Sequence, residues 1–190
     1  MKFLVPLAAF ALIFSLEGCT KMVHGDYPKY LAKNAGESHL PVTGKASQYY
    51  LPPGTKSYRY EFKSFITGAG LRWVVEIGKM LEDTLQSQDV QAAFGSLKPV
   101  GSETATGPTL VFELQDYRFE NFAAHITLNA KLMRDGKMAF EKSYTQTGRN
   151  QAGKMVALGA YAQKNAVQQS TKLAMDEILR QLIADLNALR

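Results

Sequence analysis

Ala124-His125-Ile126-Thr127-Leu128-Asn129-Ala130-Lys131-Leu132-Met133, the connector Arg134-Asp135-Gly136-Lys137, and Met138-Ala139-Phe140-Glu141-Lys142-Ser143-Tyr144-Thr145-Gln146 together set the architecture of this 190-residue chain. Apolar residues alternate with polar ones in both arms, the period of a half-buried strand, and Asp-Gly is a hairpin signal. A two-residue Asp135-Gly136 turn would pair Leu132 with Ala139 and Ala130 with Glu141, sending the two apolar faces to opposite sides of the sheet. A three-residue Arg134-Asp135-Gly136 loop instead pairs Leu132 with Met138, Ala130 with Phe140 and Ile126 with Tyr144. Gly136 then supplies the positive φ of a bulge, and this is the expected register.

Before this pair, Leu110 to Phe119 alternates in the same way and adds a third strand to an antiparallel meander. After a Gly-rich connection from Gly148 to Gly159, Asn165 to Arg190 runs without Gly or Pro. Val167, Thr171, Ala174, Met175, Ile178, Leu182 and Leu186 form one stripe of it, so the chain is expected to close with a long helix. Upstream, Lys98 to Pro108 reads as a polar loop and Val90 to Leu97 as a strand. Leu71, Val74, Ile77, Gly78, Leu81 and Leu85 recur at helical spacing with charges between them, predicting a helix of about five turns. Gly78 costs that helix roughly 1 kcal/mol relative to Ala, which implies close packing against the sheet. Tyr58-Arg59-Tyr60-Glu61-Phe62-Lys63 alternates as a strand with one buried face. The expected class is α+β, a mixed or antiparallel sheet of about four to five strands with two helices on one face, in the order strand, helix, strand, meander, helix.

The N-terminus has a different character. Met1-Lys2 precedes the apolar run Phe3 to Leu16, a signal-peptide core too short to cross a hydrocarbon layer of about 30 Å. The run ends in Leu16-Glu17-Gly18-Cys19, which resembles the bacterial lipobox, and that resemblance implies cleavage between Gly18 and Cys19 with acylation of Cys19. Cys19 is the chain's single cysteine, so no intramolecular disulfide can form. Thr20 after the cysteine, in place of Asp, implies sorting to the outer membrane. From Thr20 the chain is polar and scattered with Gly and Pro, which reads as a tether. The expected organisation is a lipoprotein signal peptide over 1–18, a lipidated Cys and flexible tether over 19–47, and one α+β periplasmic domain over 48–190.

Composition agrees with a folded domain: 46% hydrophobic, 21% charged and 11% aromatic. The 22 Lys+Arg against 17 Asp+Glu give +5, and removing residues 1–18 takes away one Lys and one Glu, leaving +5. This mild basicity suits a neighbour such as an anionic lipid or lipopolysaccharide and is no nucleic-acid signature.

No stretch carries spacing specific for a chemistry. Gly148-Arg149-Asn150-Gln151-Ala152-Gly153-Lys154 has P-loop spacing, but Met155 stands where Ser or Thr must hold magnesium, and hairpin strands are the wrong context. His125 has no second His, Cys or acid at ligand spacing and reads as a sheet histidine. Glu113, Asp116 and Glu120 suggest paired acids, but Glu113 and Asp116 face opposite sides of one strand, with Arg118 in reach of either, and all three read as solvated strand charges. No catalytic residue, metal ligand or cofactor is expected. An enzymatic site assembled from distant residues would require a deep pocket with converging titratable groups. By alternation about half of the aromatic residues belong to the core and core filling is the favoured reading of the rest, with Tyr49, Tyr50, Tyr58 and Tyr60 as the candidate contacts for a partner or lipid.

Leu16 to Cys19, the Tyr49-Tyr50-Leu51-Pro52 entry, the Asp116 to Gly148 meander and the helix ending Ile178-Leu179-Arg180-Gln181-Leu182 together resemble small envelope lipoproteins of the PqiC-type ABC-transport auxiliary, YajG and LptE kind. The resemblance implies a non-enzymatic accessory or assembly role in envelope transport, with an envelope protein partner. The alternative expectation is a regulator of a cell-wall enzyme or a structural component of an envelope complex.

Overall fold

The computed structural model describes residues 20–64 and 71–189, so Gly18 and Cys19 lie outside the described residues. In chain order the elements are β1 (Thr20–Met22), a 3-10 turn (His24–Asp26), α1 (Tyr27–Lys33), β2 (Gln48–Tyr50), α2 (Pro53–Lys56), β3 (Tyr60–Ser64) and β4 (Leu71–Val75). There follow α3 (Ile77–Gln86), α4 (Gln88–Phe94), β5 (Lys98–Pro99), β6 (Thr109–Glu120), β7 (Ala123–Arg134), β8 (Lys137–Thr147) and α5 (Ala152–Ala188). The class is α+β, but the strands divide into two sheets where one is expected: a three-stranded β1-β4-β3 and a five-stranded β5-β2-β6-β7-β8. The core lies between α5, α3 and the inner face of the meander, with Phe112, Tyr117, Ile126, Leu132, Ile178 and Leu182 almost wholly buried.

The meander forms with the expected face inward and a different register. Arg134 pairs with Lys137 across a two-residue Asp135-Gly136 turn whose residues have φ of 50° and 72°, the doubly positive geometry of a type I′ turn. A bulge at Ala139 then moves the pairing by one, so Leu132 meets Phe140 and Leu128 meets Tyr144. Turn plus bulge preserves the parity of a three-residue loop while displacing each partner by two residues. A second bulge, at Gln115, falls between the pairs Leu114–Leu128 and Asp116–Thr127. It switches which residues of β6 point inward, from Leu110, Phe112 and Leu114 to Tyr117 and Phe119. Glu113 and Asp116 therefore share the outer face instead of opposing each other.

Three other expectations change. The segment from Leu71 is strand before it is helix: β4 pairs antiparallel with β3, Trp73 opposite Phe62 and Val75 opposite Tyr60, and the helix starts only at Ile77. The run Leu-Arg-Trp-Val-Val is rich in the side chains that suit pleated sheet, and that preference wins over a fortuitous three-four spacing. Gly78 is a close-approach site, but against α2 and not the sheet: a Cβ there would overlap the carbonyl oxygens of Thr55 and Lys56. Val90 to Leu97 is helix α4 through Phe94, closed by Gly95 at φ 72° in the left-handed C-cap conformation. The closing helix begins at Ala152, so most of the Gly148–Gly159 connection is helical.

The tether expected over residues 19–47 gives way to an ordered arm over the described residues 20–47. β1 adds to β4 in parallel, and Val23, Tyr27, Leu31 and Ala46 enter the core. The remainder of the arm is fastened to α5 by polar contacts. Gln168 Nε2 donates to Val23 O (2.9 Å), Arg180 Nη2 to Ser38 O (3.1 Å), Asn187 Nδ2 to Val42 O (3.0 Å) and Lys45 Nζ to Leu189 O (2.8 Å). An irregular segment held by hydrogen bonds has no hydrophobic period, which is why its sequence reads as solvent-exposed. Covered by the sheet on one side and the arm on the other, α5 buries Ser170, Thr171, Lys172 and Asp176 as well as its apolar stripe.

Candidate functional site

A polar cluster lies in a cleft of about 330 Å³ between α1, the α3–α4 junction and α5, lined by Leu31, Asp83, Asp89, Lys172 and Asp176 among others. Lys172 and Asp176 stand one turn apart on α5 with their charged atoms 2.6 Å apart, and both are buried. Ser38, from the arm, accepts from Lys172 Nζ (2.6 Å), and its one hydroxyl proton is shared between Asp89 Oδ2 (2.7 Å) and Asp176 Oδ2 (3.1 Å). Asp89 also accepts the Gly36 backbone N–H at 2.6 Å. Burial pushes the Asp176 carboxyl above the usual carboxylate range despite Lys172 and Ser38. Burial acts the same way on Asp89 but is outweighed by hydrogen bonds from Ser38 and Gly36, which hold it below that range.

These groups converge, as an assembled catalytic site would require, but they are spent on one another. The Lys172 ammonium is held by the Asp176 carboxylate and the Ser38 hydroxyl, and Ser38 is in turn hydrogen-bonded to Asp89 and Asp176. What the arrangement does is join three chain segments, the arm, α4 and α5. A second fastening lies at the arm's start, where His24 Nε2 meets Asp83 Oδ2 at 2.8 Å and Nδ1 lies 3.8 Å from Glu76 Oε2. Glu76 also receives Lys79 (2.9 Å) and Arg59 (3.4 Å). The Lys79 hydrogen bond, with Arg59 and His24 nearby, depresses its carboxyl. Sequence reasoning missed Ser38, Asp89, Lys172 and Asp176. The available signal was the Lys172–Asp176 spacing of four, beside a stripe long enough to be buried.

The expected tyrosine contacts scatter. Tyr49 is 1% exposed and its hydroxyl accepts from Gln86 Nε2 at 3.0 Å, so it is core and not a contact. Tyr50, Tyr58 and Tyr60 are half-buried. Tyr60 meets Tyr117 edge-on at 5.5 Å and stacks with Phe62 at 6.0 Å, while Phe62 meets Phe119 at 5.4 Å. That cluster welds the small sheet to the large one.

The outer face of the meander is polar and self-paired. His125 Nδ1 meets Thr147 Oγ1 at 2.9 Å, Thr127 meets Thr145 at 3.0 Å, and Asn129 donates to Glu113 and Glu141. Lys131, and not Arg118, neutralises Glu113 (2.8 Å), whereas Arg118 serves Asp116 (2.9 Å) and Glu120 (3.5 Å). The segment with P-loop spacing leaves β8 at Gly148, whose Cβ position is filled by the Ser170 backbone, and Asn150 and Gln151 turn the chain into α5. Among the described residues, no group of three or more His, Cys, Asp or Glu is arranged to hold a metal ion. No helix among them is long and apolar enough to cross a membrane.

No family model matches the chain, and no curated protein matches it. Among solved structures it is similar to a crystal structure of a DUF330 protein from Xanthomonas campestris, with 17% identity and a TM-score of 0.48, covering 77% of this chain and 87% of that one.

Proposed function

We propose that this protein is an outer-membrane lipoprotein, facing the periplasm and held by acylated Cys19. Its α+β domain acts as a non-catalytic accessory or assembly component of envelope transport that binds a protein partner or a lipid. The observation that carries the reading is Leu16-Glu17-Gly18-Cys19 at the end of a short apolar run, followed at once by Thr20, the first residue of β1. Support comes from the titratable clusters, whose members pair with one another and fasten the arm instead of presenting a reactive group. With no slack before β1, an acylated Cys19 holds the domain against the bilayer, where it meets lipids and membrane-borne partners without reaching.

Membrane fractionation on a density gradient tests this. Wild type is expected in the outer-membrane fraction, and Cys19→Ala is expected to leave it. Wild-type protein in the soluble fraction overturns the reading.

A further inference from the structure

A second cavity, of about 550 Å³, runs between α1 and the middle of α5. Its α1 wall is made by Lys29, Tyr30 and Lys33, which recur at helical spacing along one stripe, and its α5 wall by Ala162, Asn165 and Gln168. The half-buried Tyr30 ring and the buried Ala162 give it an apolar floor. Lys29 and Lys33 are exposed at its rim, and among the described residues neither has a carboxylate partner. The acid at its edge, Asp26, is already neutralised: Lys164 Nζ lies 2.6 Å from one oxygen and Gln168 Nε2 donates to the other at 2.6 Å. The groove therefore presents two uncompensated ammonium groups above an apolar floor, with amide side chains along one wall.

The position of the groove is as informative as its charge. From Thr20 the chain passes through three residues of β1 and a 3-10 turn before α1. At about 3.3 Å per strand residue and about 2 Å per 3-10 residue, Lys29 lies within about 20 Å of Thr20.

We propose that this groove binds the phosphate-bearing anionic headgroup of a membrane lipid, with Lys29 and Lys33 on the phosphate and the first acyl carbons on the Tyr30–Ala162 floor. That a bilayer lies within its reach rests on the anchoring proposed above, but the binding itself does not. Each lysine near an anionic headgroup contributes about a factor of five to six in affinity, so the pair supplies about thirty-fold.

The test is calorimetric titration of the purified full chain in maltoside micelles with dihexanoyl phosphatidylglycerol, dihexanoyl phosphatidylcholine and glycerol 3-phosphate. Wild type is expected to bind the phosphatidylglycerol at least ten-fold more tightly than either of the others. Lys29→Glu/Lys33→Glu is expected to lose about thirty-fold or more. Lys98→Glu/Lys137→Glu makes the same change in net charge at exposed positions on β5 and β8 and is expected to bind as wild type does. All four positions are exposed, so unchanged circular dichroism is expected for both variants. Equal losses in the two double variants overturn the site, because net charge alone then acts. Equal binding of the zwitterionic lipid overturns the role of the lysines, and equal binding of glycerol 3-phosphate shows a free-phosphate site instead of a lipid site. An unacylated wild-type chain that still gives the expected titration refutes the anchor and leaves the groove standing.

Discussion

Gly78→Ala separates intrinsic helix preference from the packing seen here. On propensity alone the change stabilises α3 by up to about 1 kcal/mol. The added Cβ, however, overlaps the carbonyl oxygens of Thr55 and Lys56 and comes within 2.7 Å of the Lys56 carbonyl carbon, well inside the usual contact of about 3.5 Å. The obstacles are backbone atoms, so α2 and α3 must part, an overpacking cost of about 1–3 kcal/mol. Parting them also moves Thr55, whose Oγ1 accepts the Leu114 backbone N–H at 3.0 Å, at the edge of the Gln115 bulge. Losing that bond leaves a buried N–H unsatisfied, at about 1–3 kcal/mol. Set against the propensity gain, the net expectation is destabilisation by about 1–5 kcal/mol, read as a lower urea midpoint at unchanged slope. Gly54→Ala, in α2 with nothing within 4 Å of its Cβ position, is the control and is expected to be neutral or stabilising by up to about 1 kcal/mol. Indistinguishable midpoints for the two variants would refute the packing argument.

Three further outcomes follow from the polar clusters and the turn. Lys172→Met strands the buried Asp176 carboxylate and is expected to cost about 3–5 kcal/mol, whereas Lys172→Met/Asp176→Leu recovers most of the loss; a double-mutant cycle in urea checks it. Because the Glu76 carboxyl is held below its ordinary value by Lys79, Arg59 and His24, its contribution to stability is present above the unfolded value of about 4.3 and is lost as pH falls through the folded one. Glu76→Gln is therefore expected to flatten the stability profile between about pH 5 and pH 2, and an unaltered slope would count against that pairing. Gly136→Ala forces an L residue to φ 72° and is expected to cost about 1 kcal/mol in thermal or urea unfolding.

The meander was legible because alternation reports which face is buried. Its exact partners were not, since the Asp135-Gly136 turn plus the Ala139 bulge has the same parity as a three-residue loop. The bulge at Gln115 left no local signal, and it alone brought Glu113 and Asp116 to one face. Leu71 to Val75 carried both a helical spacing and a strand composition, and only pairing with β3 decided between them. The arm was least legible. Its order depends on single residues meeting α5 more than a hundred positions later, as Ser38 meets Asp176 and Val42 meets Asn187, and no local window contains such a contact. The same long range hid the cluster of Ser38, Asp89, Lys172 and Asp176, which three separate segments build. Tyr49 was visible as a notable aromatic, but its burial against Gln86 was not.

The proposed anchor, Cys19, immediately precedes Thr20, where the folded arm begins. Intact mass spectrometry of the mature protein isolated from membranes examines that residue itself. The predicted spectrum is a chain beginning at Cys19 with the added mass of its acyl groups, absent from Cys19→Ala. A wild-type chain that retains residues 1–18, or that is cleaved elsewhere and carries no acyl mass, would contradict the anchor and with it the envelope assignment.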